Sequence, residues 1–571
     1  MLEIKNKLAK VLSEILKVEI NPEDFTEPPK NVEADLALPC FTLAKELRRD
    51  PNEIAGELGA MVNAKNLVII EKVKSLGPYM NFFIDSEYLA QAVLYSQLTN
   101  EPINQLTKIM VEFAHPNTHK AFHIGHLRNI ITGESIVRIL QNAGYKVTRA
   151  NYQGDVGLHI AKALWGIDQL RNEYKEVKKK DLDDKVGFLG KAYALGGQTF
   201  EKDEKAKQEI YKLNEKIYNK EKSIQDVYKT TRAWSLEYFD KVYKRVDSHF
   251  DRLYFESEVF EKGKQIVLKF LEKGVFKRSE GAVIFEGEKY GLHSRVFVNS
   301  LDFPTYEAKD LALAEAQFKE FKPDRIIHVV GKEQTEYFKV VFKALEFTLP
   351  KSKGREEHLA YGWVSLKSGK MSSRTGQVIL GEWLLDEIEK RIAAIMKDSP
   401  AKDKDLIIKK VALAAVKYAM LKIGVKVDMA FDIEESVNTS GDSGPYLLYI
   451  VARIKSILKK VKGKSEKHAL SMVEGLKGIE SIKINEYEKS LLLKVAKFEE
   501  AQELAAKELD PSQIAKYLFE LAQEFNGFYH ECPVLQAEQA IQAFRINLIK
   551  KVEQTMTKGL NLLGIEPVDE M

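Results

Sequence analysis

The stretch Glu112-Phe-Ala-His-Pro-Asn-Thr-His-Lys-Ala-Phe-His-Ile-Gly-His126 concentrates histidines, a lysine, an asparagine and a glycine in one short segment. Within it, His123-Ile-Gly-His126 flanks a glycine with two imidazoles, which can donate to phosphate oxygens as charge builds in a transition state. Gly125 lets a ligand approach the backbone, and a helix starting here would offer unpaired N–H groups to an anion. Alone, the four residues are a weak signal, because isolated histidines are commonly structural. A second segment, Ser368-Gly-Lys-Met-Ser-Ser-Arg-Thr-Gly376, brackets two basic residues and three hydroxyls with glycines, as a loop closing over phosphates would. Alone, that segment reads as an ordinary basic surface loop. Both together, in this order and on either side of a split sheet, point to nucleotide chemistry.

The elements around them have the right types. Ile109-Met-Val-Glu-Phe113 has strand composition, and the residues from about Gly125 to Asn142 are apolar on much of a helical surface. Gly144 suits the cap of that helix, and Tyr145–Tyr152 reads as the next strand. Strand, helix, strand is a βαβ unit, and open α/β sheets bind ligands beyond the ends of their strands. Further strands are expected at Gly281–Phe285, Arg295–Asn299 and Arg325–Val330. Residues 171–245 are dense in Lys and Glu, which predicts a pair of solvated helices inserted into the sheet domain. Beyond about Leu380 apolar residues recur at spacings of 3 and 4, as in Leu447, Val451, Ile454, Leu458 and Val461, which predicts a helical bundle.

Composition sets the limits. A chain of 571 residues predicts three or four domains, at about 150 residues each. With 87 basic against 84 acidic residues the net charge is only +3, so a uniformly basic nucleic-acid sponge is excluded and a local basic groove is not. Cys40 and Cys532 are too few for a disulfide framework or a structural zinc site, and no metal site is expected. No secretory leader is visible, and no apolar run approaches the ~18 residues a membrane span needs. The expectation is a cytoplasmic enzyme without membrane contact.

His123-Ile-Gly-His126 with Lys370-Met-Ser-Ser-Arg374 resembles the two signatures of class I aminoacyl-tRNA synthetases. Finer features resemble the arginyl-tRNA synthetase family: Pro116-Asn117 and Lys120 ahead of the histidines, Asn151-Tyr-Gln-Gly-Asp-Val-Gly157, Tyr306-Glu-Ala-Lys-Asp310, Gly441–Tyr449, Asp35-Leu-Ala-Leu and the closing Gly564–Met571. The resemblance spans most of the chain and is poorest at 171–245. It implies an α/β Rossmann-like catalytic domain with a parallel sheet over 108–385, carrying a helical insertion at about 165–275. An α+β N-terminal domain touching the tRNA elbow would occupy 1–107, and an all-α helical-bundle anticodon-binding domain 386–571. The implied activity is ATP-dependent ligation of L-arginine to tRNA(Arg), with Mg²⁺ carried on the ATP phosphates and the chain a monomer.

The resemblance also implies roles for residues. His123, His126, Lys120, Lys370 and Arg374 would be catalytic, and His123, Gly125, His126, Lys370, Met371, Ser372 and Ser373 would hold ATP. Glu112, His115, Asn117, His126, Tyr306, Asp310 and Gln334 would hold arginine, with Asp310 the bidentate partner of the guanidinium. The rival reading of Asp310 is a helix cap, and that of Tyr306 is plain core. Asn81, Tyr446, Tyr449, Tyr529 and Met571 would meet tRNA, although tyrosines at helical spacing are often core. Two positions depart from the family pattern. Ser373 stands where a lysine is common, so Lys120 is expected to supply the missing charge, and His115 stands where serine is usual. Competing readings are a class I synthetase of another specificity, a non-catalytic tRNA-binding relative, and a small-molecule nucleotidyltransferase.

Overall fold

The computed structural model describes residues 1–29, 32–95, 107–367, 379–462 and 482–571. These fall into two compact units, Met1–Glu101 with Asp398–Lys410 and Thr439–Met571, and Pro102–Lys397 with Val411–Asn438.

The second unit is built on a five-stranded parallel sheet. Its spatial order is Glu356–Tyr361, Arg325–Gly331, Lys108–Glu112, Lys146–Gln153 and Arg252–Phe255. Ile109, Met110 and Val111 of the central strand are buried, as a strand covered on both faces requires. From that strand the chain builds outward on one side, then crosses to the other. The switch of direction opens a crevice beyond the ends of Lys108–Glu112 and Arg325–Gly331, the usual ligand position in such sheets.

Helix Ile124–Asn142 follows the central strand and is buried along most of its length. Gly133 lets it press on the preceding loop, since a Cβ there would come within 2.3 Å of the Phe113 ring. Gly144, at φ +91°, ends the helix as expected, its N–H donating to Gln141 O at 3.0 Å. The strands at Ala282–Phe285 and Arg295–Val298 join Lys277–Ser279 in a separate antiparallel sheet.

The Lys- and Glu-rich insertion is more than two solvated helices. Its helices Arg171–Val177, Leu182–Lys202, Glu204–Tyr218 and Lys222–Arg245 share a core that includes Phe188, Leu189, Ile210, Ile217 and Trp234. The high charge density concealed these apolar stripes. This unit also runs past residue 385, where the catalytic region was expected to stop: helix Gly381–Ile395 belongs to it, and strand Met429–Phe431 pairs with Val364–Leu366.

In the first unit an antiparallel sheet orders Leu36–Pro39, Tyr79–Ile84 and Ile70–Leu76. Helices Gly444–Lys462, Glu486–Ala496, Phe498–Glu508, Ser512–Glu531 and Gln539–Leu562 form the bundle. Ion pairs Lys489–Asp35 (2.8 Å) and Lys497–Glu27 (2.7 Å) tie bundle and sheet module together, although the sequence presented them as separate flanking domains. No described helix is long and apolar enough to cross a membrane.

Candidate active site

The loop between the central strand and its helix is held under backbone strain. Ala114, His115 and His119 have φ of +79°, +49° and +64°, a region costly for residues with a Cβ. Side chains from elsewhere fix it. Asn129 Oδ1 accepts from Ala114 N at 2.5 Å, Asn151 Oδ1 from His115 N at 3.2 Å, and Ser235 Oγ from His119 N at 3.0 Å. Thr231 Oγ1 lies 2.7 Å from His119 Nε2, and Tyr243 OH accepts from both Asn151 and Gln153 at 3.0 Å. Thr231, Ser235 and Tyr243 all lie on the insertion helix Lys222–Arg245, so the insertion buttresses the loop that carries the motif.

His123 and His126 form a reciprocal helix cap. His123 Nδ1 accepts from Gly125 N at 3.1 Å and His126 N at 3.3 Å, while His126 Nδ1 accepts from His123 N at 3.2 Å. The rings stack at 3.8 Å. This corrects two expectations. The N–H groups of Gly125 and His126 are bonded to the His123 ring, so they are not open to an anion. Gly125 makes room for that ring, because a Cβ there would lie 2.9 Å from its Nδ1 and Cε1. The cap has a chemical consequence: with both Nδ1 atoms accepting, each neutral ring carries its proton on Nε2 and offers one donor there. Burial lowers the pKa of both histidines, and the Lys120 ammonium adds to the effect, so both rings are neutral near pH 7. Lys120 lies 5.4 Å from the ring centroid of Tyr193, on helix Leu182–Lys202.

Lys370, Met371, Ser372, Ser373 and Arg374 lie outside the described residues. The chain that follows them is described beside the first motif: Ile124 N donates to Ile379 O at 3.0 Å, and Gly381 N to Phe122 O at 2.8 Å.

The other end of the crevice is acidic. Asp310 is the fifth residue of helix Tyr306–Glu320, past the capping position held by Thr305, so the capping reading falls. Tyr337 OH donates to Asp310 Oδ2 at 2.7 Å. Burial pushes the Asp310 carboxyl up to about 8, against the pull of that hydroxyl. Glu112, at the tip of the central strand, accepts from Gln317 and lies 3.0 Å from His328 Nδ1; His328 Nε2 reaches Glu356 at 2.7 Å. Burial opposes a charged His328, yet the two carboxylates raise it to about 10, making it a buried cation. Burial also works against a charged Glu112, and the His328 cation with its hydrogen bond outweighs it, holding the carboxyl below its ordinary value. His115 Nδ1 is 4.0 Å from Glu112, and burial keeps that imidazole neutral.

Among the described residues, His115 Nε2, Tyr152 OH, Gln317 Oε1 and Glu356 Oε1 are buried with no hydrogen-bond partner. Unpaired buried polar atoms are costly, and their concentration around Glu112 marks a place built for a polar ligand. Asn117 lies against Gly154, where a Cβ would come within 2.0 Å of its Oδ1. Tyr306 is 53% exposed, which rules out plain core, and the Lys309 ammonium sits 4.8 Å from its ring centroid while pairing with buried Glu256 at 2.6 Å. Gln334 is exposed in the turn after strand Arg325–Gly331.

Sequence reasoning missed His328, Tyr337, Gln317 and Glu356. His328 had a readable signal, a titratable residue inside the apolar run Arg325-Ile-Ile-His-Val-Val330. Two tRNA candidates are largely covered in the chain alone: Asn81 is 1% exposed within the N-terminal sheet, its Oδ1 without a hydrogen-bond partner, and Tyr446 is 8% exposed, accepting from Asn526 at 2.7 Å. Tyr449 is exposed, Met571 is half-buried, and Tyr529 carries Arg453 at 4.4 Å from its ring centroid. No group of three or more metal-binding side chains occurs among the described residues.

A parallel sheet that switches direction beside a capped histidine pair, with Ile379 and Gly381 bonded to the start of the helix that the pair caps, has the architecture of a class I synthetase catalytic domain. The family model "tRNA synthetases class I (R), catalytic domain" matches residues 87–433; "Arginyl tRNA synthetase N terminal domain" matches 2–84 and "DALR anticodon binding domain" 447–571. The chain is 34% identical over 572 residues to the arginine–tRNA ligase of Treponema denticola, covering 98% of this chain and 96% of the relative. It is 32% identical to that of Borreliella burgdorferi, covering 97% and 95%. The solved Thermus thermophilus arginyl-tRNA synthetase superposes with a TM-score of 0.81 at 26% identity, covering 99% of this chain and all of that one. The chain belongs to the arginyl-tRNA synthetase family.

Proposed function

We propose that this chain joins L-arginine to tRNA(Arg) at the expense of ATP, through an arginyl-adenylate, as a cytoplasmic monomer. The observation that carries the reading is one crevice with two chemically distinct ends: neutral histidine N–H donors at one, and the buried carboxylates of Asp310 and Glu112 at the other. A guanidinium never loses its charge, so it demands carboxylate acceptors. Asp310 takes the guanidinium, with Tyr306 and Gln334 beside it. Asn117, His115, Glu112 and His126 hold the amino acid's ammonium and carboxylate.

The arginine carboxylate attacks the α-phosphorus of ATP and pyrophosphate leaves. The terminal ribose hydroxyl of tRNA then attacks the activated carbonyl and AMP leaves. No protein nucleophile is needed, and rate comes from positioning and charge stabilisation. The Nε2–H groups of His123 and His126 donate to the phosphates, Lys120 supplies charge that Ser373 cannot, and Lys370 and Arg374 assist. Mg²⁺ travels on the ATP phosphates without a dedicated protein cage. In the helical bundle Tyr449, Tyr529 and Met571 remain the tRNA contacts of this reading.

Arginine-dependent ATP–pyrophosphate exchange, run with and without tRNA(Arg), tests it. Exchange with arginine and no other amino acid supports the reading, and no exchange under either condition overturns it.

A further inference from the structure

Trp363 is 59% exposed, yet its backbone and side chain are pinned. Its N–H donates to Asp428 Oδ1 at 2.8 Å, and its carbonyl accepts from Met429 N and from the buried Arg128 guanidinium, both at 2.8 Å. Gly362 allows that fit, since a Cβ there would lie 2.3 Å from the Val427 backbone. The indole N–H donates to Glu333 Oε2 at 2.9 Å, and the Lys332 ammonium stands 5.4 Å from the ring centroid while pairing with Asp428 at 2.7 Å. The edge and one face of the indole are therefore engaged, while the residue as a whole stays 59% exposed.

Its location matters equally. Arg128 lies in the helix that His123 and His126 begin, so its bonds to the carbonyls of Gly362 and Trp363 tie the tryptophan to the phosphate end. Lys332 and Glu333 follow strand Arg325–Gly331, whose tip borders the crevice. A flexible exposed tryptophan would be unremarkable, because single apolar residues on a surface are common. An oriented one at the mouth of a nucleotide crevice is a flat, electron-rich platform, and every base has a π-face to set against it.

We propose that Trp363 is a stacking platform for an unpaired nucleobase. This deepens the reading above and rests on it. The base comes either from ATP or from the single-stranded acceptor end of tRNA, and the two share one chemistry. Stacking on an aromatic side chain has measured contributions equivalent to about 5- to 100-fold in affinity, which sets the expected effect.

The full chain is titrated with ATP, and separately with tRNA(Arg), while acrylamide quenching of tryptophan fluorescence is followed. Trp165 and Trp234 are buried and Trp383 is half-buried, so the share of Trp363 is taken as the difference between the parent and Trp363→Phe. Protection by ATP alone, with KM for ATP raised about 5- to 100-fold in Trp363→Ala and largely restored in Trp363→Phe, assigns the platform to adenine. Protection only by tRNA, with the rise in KM for tRNA, assigns it to the acceptor end. An indole equally open to acrylamide with either ligand, or unchanged KM values in Trp363→Ala, overturns the proposal. The quenching arm reads binding, so it stays separable from the exchange assay that tests the function itself.

Discussion

The two ends of the crevice are built in opposite ways. The phosphate end is local: His123, Gly125 and His126 satisfy one another within four residues of chain, and the fold has only to start a helix there. The guanidinium end is assembled from afar. Glu112, Gln317, His328 and Glu356 come from three strands and a helix, and Asp310 with Tyr337 from two helices. The local end offers neutral donors, whereas the distant end holds net negative charge in a buried place. A short motif can therefore announce where phosphate binds, while selectivity for the amino acid depends on how the sheet and its helices are stacked.

The largest effect is expected at the distant end. Asp310→Asn keeps the shape and removes the charge that a guanidinium requires. Truncating one partner of a buried charge pair costs about 2–5 kcal/mol. We expect kcat/KM for arginine to fall about 100- to 1,000-fold, with KM for ATP unchanged. Equal losses for both substrates would show that the two ends are not separable.

Next comes Lys120→Ala at the local end. A preorganised charge or donor facing a transition state contributes on the order of 100-fold in rate. The variant should lose about that much in arginyl-adenylate formation under single turnover, with arginine binding intact. Normal adenylate formation would refute the claim that Lys120 replaces the charge absent at Ser373.

Protonation should separate the ends more gently. Asp310 titrates at about 8, so below that pH most molecules carry a neutral carboxyl that cannot pair with guanidinium. KM for arginine should fall about tenfold per unit as pH rises toward about 8, then level off. The sign follows from a raised pKa on the acceptor: deprotonation creates the site. His123 and His126 have depressed pKa values and stay neutral across this range, so KM for ATP should lack the same step. A parallel step in both would remove the distinction.

How much of this was legible follows the same division. The parallel sheet, the helix after the first strand and the histidine pair could be read, because apolar period and motif spacing are local properties. The capping role of the histidines could not, since it depends on which way each ring turns. His328 was hidden in an apolar strand, although a titratable residue there was an anomaly. That Asn81 and Tyr446 are largely covered could not be read either, since residue type does not reveal which face of a strand or helix a side chain occupies. The insertion was underestimated because its charged surface masked the apolar stripe whose last helix holds the strained loop at Thr231 and Ser235.

The smallest expected effect probes the distant end at its finest point. Tyr337 donates its hydroxyl to Asp310, and that bond opposes the upward push of burial on the carboxyl. Tyr337→Phe keeps the ring packed and deletes only the donor, so the pKa of Asp310 must rise further. A net hydrogen bond is worth about 1 kcal/mol, equivalent to somewhat less than one pKa unit. The pH at which KM for arginine levels off should therefore move to higher pH by about that amount, giving a rise of a few-fold at pH 8. Well above the new midpoint the variant should approach the parent. A uniform loss at every pH would mean that Tyr337 contacts arginine directly, whereas a displaced profile means it acts through the carboxylate. The first result would place the guanidinium against both side chains; the second leaves Asp310 as the group that reads its charge.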